Sequence, residues 1–270
     1  MGLFDFWKKK KKPISNEKES IAGSTKLLLA MPIFINNASY DLNKVVEHLR
    51  SFWQLSVTDI TGDDETATFN IRDTMVALAN MPVPIPKEEL ESIIPYSYLW
   101  KNAAEEVKNQ TGHAIVTVMG NEGTIVDRHF ILSKLLCSIL LTTENCIGIY
   151  QGQETLLLQR DFYLSAIEDI RNNQIPVPAW IYIGIRGANE KFDAYTYGMS
   201  SFGKLEIEIT GSELNPDNLY KLILNISSYI IGNDINFEDG DAYKLTEQVL
   251  VKLKISEGIY VEGMTLKPQV

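Results

Sequence analysis

The segment GMSSFGKL, Gly198 to Leu205, has the G-x-x-x-x-G-K spacing of a phosphate-binding loop. Such a loop cradles phosphate oxygens on backbone N–H groups at the start of a helix, and it needs Ser or Thr after the lysine to hold Mg²⁺. Leu205 stands in that place, and the KLEIEIT run (204–210) that follows alternates as a strand. The segment therefore reads as a glycine-rich hairpin turn. The three histidines, His48, His113 and His129, share no ligand spacing, and Cys137 lies eight residues past His129 with no second ligand beside it. Their expected roles are structural. No G-x-S-x-G elbow is present. FEDGDAY (237–243) clusters Glu238, Asp239 and Asp241 without the register of a calcium loop, so a turn is expected. These residues define no catalytic set, no metal site and no cofactor site.

The elements that position these residues alternate in type. KLLLAMPIFI (26–35) reads as a strand, followed by a helix capped by Asp41 with Leu42, Val45, Val46, Leu49 and Trp53 on one stripe. HAIVTVMG (113–120) is a second strand, and Thr124 with Asp127 forms a capping pattern before a nearly all-apolar helix. KLEIEIT is a third strand, and Asn215 and Pro216 open a helix that Gly232 ends. These three strand-then-helix units suggest duplication. Residues 66–81 and 146–159 each read as one strand or a hairpin, and shorter helices are expected at 98–109 and 161–172. Residues 179–210 read as an antiparallel meander. The expected class is α+β, with mixed, mostly antiparallel sheets and helices packed on one face. The expected organisation is a basic tail over 1–24, an α+β domain over 25–175, and a meander-plus-helix domain over 176–270.

Charge is uneven along the chain. Residues 1–12 carry five lysines against Asp5, a net +4, so the total of −10 leaves −14 on residues 13–270. An acidic body argues against nucleic-acid partners. The tip reads either as a solubilising tail or as a membrane contact. In the second reading Phe4, Phe6 and Trp7 insert while Lys8, Lys9, Lys10 and the two lysines after them meet anionic lipid, each worth about 1 kcal/mol. Phe6 occupies the place where a myristoylation pattern needs Ser or Thr. No apolar run reaches the ~20 residues needed to cross a bilayer. Cys137 and Cys146 are too few for a disulfide framework and read as free thiols in a reducing compartment; a bridge between them is the alternative.

The run MPVPIP, Met81 to Pro86, combines stiffness with apolar side chains. Prolines at 82, 84 and 86 remove ladder donors and hold their neighbours extended, so Met81, Val83 and Ile85 are expected to face one way, with Pro86 opening a short helix. One reading is a stiff strand-to-helix connector. The other is a rigid lip that presents Val83 and Ile85 with Tyr96, Tyr98 and Trp100 close by, because stiffness lowers the ordering cost of binding.

The ordered series Met81–Pro86, Trp100–Ala104 and His113–Thr117, followed by PAWIYIGI, TYGMSSFGKLEIEI, LNPDNLYKLILNISSYI and DGD, resembles a bacterial family of unknown function, the domain family numbered four-two-six-one. The resemblance spans roughly residues 26–270. It implies a cytoplasmic bacterial protein and no established activity, and it groups Pro84, Pro86, Trp100 and His113 as shared residues.

The functional expectation is a non-catalytic interaction protein of binding, accessory or immunity-like type, a monomer or homodimer with a protein partner. Its candidate contact residues are Val83, Pro84, Ile85, Pro86, Tyr98, Trp100 and His113. The alternatives are a ligand binder or enzyme with a pocket near His113 and Trp100, and a peripheral protein at the inner membrane face.

Overall fold

The computed structural model describes residues 27–120, 123–188, 190–245 and 250–270. The basic tip, including Phe4, Phe6, Trp7, Lys8, Lys9 and Lys10, lies outside the described residues. Within them the chain is α+β, and every pairing between its strands is antiparallel.

A seven-stranded sheet forms the larger part. Its strands are β1 (Leu28–Ile35), β2 (Val57–Gly62), β3 (Thr66–Ile71), β4 (Thr74–Met81), β5 (Gln110–Met119), β6 (Cys146–Gln151) and β7 (Leu156–Gln159), in the order β2-β3-β4-β5-β1-β6-β7. Residues 66–81 form a hairpin turning at Arg72, which takes a positive φ, and residues 146–159 form another. Helix α1 (Leu42–Ser51) is capped by Asp41, whose carboxylate accepts the N–H of Lys44 at 3.0 Å, and the whole expected stripe from Leu42 to Trp53 is buried. The Thr124–Asp127 capping box opens α4 (Ile125–Thr142), buried along most of its length as its all-round apolarity requires. These helices share one core with Leu28, Ala30 and Phe34 of β1. The alternate residues Met31 and Ile33 belong to a second cluster with Leu90 and Ile93 of α2 (Lys87–Ile93) and with Ala103 of α3 (Ala103–Glu106). Period-two alternation thus feeds two apolar layers.

Helices α5 (Arg160–Ser165) and α6 (Ile167–Arg171) divide the expected 161–172 helix at Ala166, and α7 (Val177–Trp180) leads into the second sheet. That sheet is β8 (Tyr182–Ala188), β9 (Lys191–Tyr197) and β10 (Glu208–Ser212), in the order β10-β9-β8, with α8 (Pro216–Gly232) packed on it. The third sheet is β11 (Ala242–Lys244), β12 (Leu250–Glu257) and β13 (Met264–Pro268). One parallel bridge, Ile207 to Leu266, joins the second and third sheets, and the N–H of Leu266 donates to the carbonyl of Glu206 at 2.8 Å. The apolar core is continuous across residues 175–176, as Phe130 and Trp180 pack at 4.9 Å between ring centres.

The three strand-then-helix units are all present. The first two strands, β1 and β5, are antiparallel neighbours in one sheet, while β10 lies in another, so the units do not stack as a repeat. The third strand also starts later than its alternation predicts, at Glu208 instead of Lys204. Glu206 and Glu208 are buried together with Ile207 and Ile209, while Leu205 is exposed, so both faces of that run are covered and its acids are not on a solvent face.

Candidate functional site

Strand β4 ends where Met81 pairs with His113. Beyond it the three prolines carry no N–H, and side chains of β5 replace the missing ladder. The Val83 carbonyl can only accept, so Nδ1–H of His113 donates to it at 2.9 Å, which sets the tautomer. Burial holds the His113 imidazole below its ordinary pKa, with the Val83 carbonyl and Glu89 opposing. Gln110 clamps the next peptide on both sides: Ile85 N–H donates to Oε1 at 3.0 Å and Nε2 donates to the Ile85 carbonyl at 3.1 Å. Gly112 lets the two segments close, since a Cβ there would stand 2.9 Å from the Met81 carbonyl.

The expectation that Met81, Val83 and Ile85 face one way is corrected here. Val83 is 51% exposed and Ile85 is buried, because the Gln110 clamp turns Ile85 onto the sheet. Pro86 is also displaced by one position. It is the extended N-cap of α2, with ψ 132, and Lys87 is the first helical residue. Pro84 and Pro86 are exposed.

Trp100 is buried and fills the second apolar cluster with Ile33, Ile85, Leu90 and Leu157. Its indole N–H donates to Oε2 of Glu106 at 3.0 Å. It sits on Gly148 of β6, where a Cβ would fall 2.5 Å from the ring. Pinning Trp100 there confines the expected 98–109 helix to Ala103–Glu106 and a short 3₁₀ turn. Around His113 and Trp100 the side chains therefore pack as core. Tyr98 points the other way. The residue is 52% exposed while its hydroxyl donates to the carbonyl of Ile183 on β8 at 2.7 Å; burial of that hydroxyl raises its pKa. Tyr96 is 42% exposed and meets Tyr182 edge-on. The segment 82–100 thus holds Ile85, Trp100 and the His113 contact inward, and Val83, Tyr96 and Tyr98 outward.

The buried carboxylates of the C-terminal half carry no sequence motif. Glu206 accepts from the N–H groups of Gly198 and Ser200, at 3.0 and 3.1 Å, and from the Thr196 hydroxyl at 2.8 Å. Glu154 accepts from the Ser201 hydroxyl at 3.0 Å; burial pushes its carboxyl up to about 7, against the lowering effect of that bond. The GMSSFG turn, a 3₁₀ turn over Met199–Phe202, is therefore held by acids at the amides a phosphate would use. Lys204 is turned away and pairs with Asp234 at 2.6 Å. Glu208 collects the N–H groups of Ile259, Tyr260 and Val261 at 2.8–3.0 Å and is joined by Lys267 at 3.3 Å. Burial raises its pKa, and the three amides with Lys267 more than reverse this, leaving it below the usual carboxylate range. The only sequence signal was the alternation of acids with Ile207 and Ile209, which equally describes an exposed face.

The other reactive side chains serve packing. His48 Nδ1 lies 3.0 Å from the Ser138 hydroxyl between α1 and α4, and His129 Nδ1–H donates to the Ile125 carbonyl. Cys137 and Cys146 are unbridged and buried, which raises both thiols to about 12. Asp239 and Asp241 accept the N–H groups of Ile255 and Glu238.

A separate groove of about 360 Å³ runs between α1 and β2, lined by Leu42, Val46, Glu47, Arg50 and Ile60. Strand β2 is the outer edge of the large sheet.

The sequence profile of a domain of unknown function (DUF4261) matches residues 195–268. This segment runs from β9 through the acid-held turn, α8 and the third sheet, so the resemblance read from the sequence is shown there. The motifs at Met81–Pro86, Trp100–Ala104 and His113–Thr117 lie outside the match. No curated protein and no solved structure matches the chain. Among the described residues no helix is long and apolar enough to cross a membrane.

Proposed function

We propose that this is a non-catalytic binding protein, cytoplasmic and bacterial, that engages a protein partner through the outer side of residues 82–98 in an accessory or immunity-like role. One observation carries the reading: Val83, Tyr96 and Tyr98 are exposed on a segment whose inward residues are locked by Gln110, His113 and Trp100. A pre-positioned aromatic and apolar surface loses little entropy on binding, and tyrosine is enriched in interface hot spots. Unbridged cysteines support the cytoplasmic location.

The test is affinity capture from the native host with the full chain and with a full-chain Val83→Asp/Tyr96→Ala variant, after matching their melting temperatures. A stoichiometric protein retained by the first and lost by the second supports the reading. Retention of that protein by both, or no stoichiometric partner in any growth condition, overturns it.

A further inference from the structure

The seven-stranded sheet has two faces. Helices α1 and α4 share a core with the face that holds Leu28 and Ala30. On the opposite face the second apolar layer takes in Ile33, Tyr150 and Trp100 at one corner. The register gives the rest of that face, since directly paired residues of antiparallel strands share a side. Met75 pairs with Met119, Ala77 with Thr117 and Ala79 with Ile115. Thr68 pairs with Ala77, Thr66 with Ala79, and Leu29 with Thr117. All of these are half-buried or exposed, Met75 at 43%. Leu29, Ile115 and Met119 belong to neither apolar cluster among the described residues. An antiparallel sheet normally turns polar residues to water, yet the positions of β1, β3, β4 and β5 on this side include no Asp, Glu, Lys or Arg. Asp59 of β2 stands at the rim, where it accepts from Asn70 Nδ2 at 3.0 Å.

The face also has relief. Ile115 and Met119 on β5, with Leu29 and Met31 on β1, form a ridge. Thr66, Thr68, Ala77 and Ala79 on β3 and β4 form a trough beside it. A two-fold axis in the contact plane, running along the strands between β4 and β5, exchanges the two. Ile115 of one copy then meets Ala79 of the other, and Leu29 meets Thr68. The surface is self-complementary, as an isologous contact requires, and the strands stay aligned as in packed sheets. A different protein would have to match this relief; a second copy matches it by symmetry. Charge selects the same occupant. The chain totals −10, so copies repel each other where their surfaces are charged, and this face has no charge to repel with. It is four strands wide and about three like-facing positions deep, roughly 19 by 20 Å. The projected area of about 400 Å² is half of the ~800 Å² per partner of a standard interface, which fits a reversible dimer. Val83, Tyr96 and Tyr98 are not among its positions, so the contact is separate from the one proposed for them.

We infer that this face pairs with the same face of a second copy of the chain, each β5–β1 ridge seated in the other's β3–β4 trough.

Sedimentation velocity of the full chain from about 1 µM to about 1 mM tests this. The expected result is a dimer that grows with concentration and persists in about 1 M salt, where charge contacts are screened. Thr68→Lys/Met75→Lys, at two exposed positions, should keep the melting temperature and weaken the dimer by roughly tenfold or more, because each lysine would be buried unpaired. The two lysines move the net charge from −10 to −8 (−10 + 2), so added repulsion cannot explain the loss. Independently, a mixture of Leu29→Cys and Thr68→Cys chains should be joined by a short bismaleimide into mixed pairs, while neither chain alone forms like pairs. A monomer at every concentration overturns the inference. So does a dimer that ignores the lysine variant or dissociates in salt, or cross-linking into like pairs only. A monomeric wild type that retains a host protein lost by the lysine variant gives the face to another occupant and overturns it as well.

Discussion

The indole of Trp100 rests on the backbone of Gly148: a methyl group at that glycine would stand 2.5 Å from Cζ3 of the ring and 2.5 Å from the Leu158 carbonyl. A strand position without a side chain is thus what lets an aromatic ring approach β6 this closely, and Trp100 belongs to the second apolar layer. Gly148→Ala is expected to destabilise the protein by about 1–3 kcal/mol through overpacking, and Trp100→Ala by about 3–5 kcal/mol through the cavity it leaves. Urea unfolding monitored by circular dichroism reads both. Wild-type stability in either variant would mean that this layer is not core.

The clamp on the proline segment separates support from contact. Gln110→Ala leaves the Ile85 N–H and carbonyl without partners and is expected to cost about 1–3 kcal/mol. Val83→Asp, at an exposed position without hydrogen-bonding duty in its side chain, should stay within about 0.5 kcal/mol of wild type. Paired thermal melts distinguish the two, and equal losses would show that Val83 also packs.

Glu154 sets a pH dependence of unusual sign. Its folded pKa is raised to about 7 by burial, above the ordinary carboxyl value of 4.5. Its contribution is fully present below pH 4.5 and is lost as pH rises through about 7. Glu154→Gln removes a group that cannot ionise cheaply, so the variant should gain stability relative to wild type at pH 8 and show a flatter profile from pH 4.5 to 7. Parallel profiles for the two proteins would place the carboxyl in water.

Glu208 works in the opposite direction. Burial is outweighed by three backbone N–H donors and Lys267, so its folded pKa is lowered. Its stabilisation is present above the ordinary carboxyl range and is lost as pH falls through the lower folded value. Glu208→Gln should therefore be less stable at neutral pH, where the negative charge that the amides of residues 259–261 and Lys267 meet is gone, and should lose less on acidification. Hydrogen exchange of Ile259, Tyr260 and Val261 should speed up in the variant at pH 7; unchanged protection would show that the turn holds itself.

Local chemistry in the sequence was enough for the helices and hairpins. Asp41, the Thr124–Asp127 pair and Asn215 cap their helices where their side chains reach backbone N–H groups three residues on, and the apolar stripe of α1 is buried as its 3.6-residue period requires. These are contacts within a few residues, so the α+β class and most element positions were already legible. Direction and partnership were not. Val83 and Ile85 look alike in sequence, and only Gln110 and His113, brought in from β5, turn one outward and the other inward. Lys204 completes a phosphate-loop spacing, yet Asp234 takes its charge and Glu206 takes the amides. Glu206 and Glu208 alternate like an exposed face and are buried, because the preceding turn brings N–H groups to Glu206 and a turn some fifty residues on brings them to Glu208. A buried carboxylate is tolerated only where donors converge on it. The positions of those donors follow from the packing of three sheets, which no local pattern encodes.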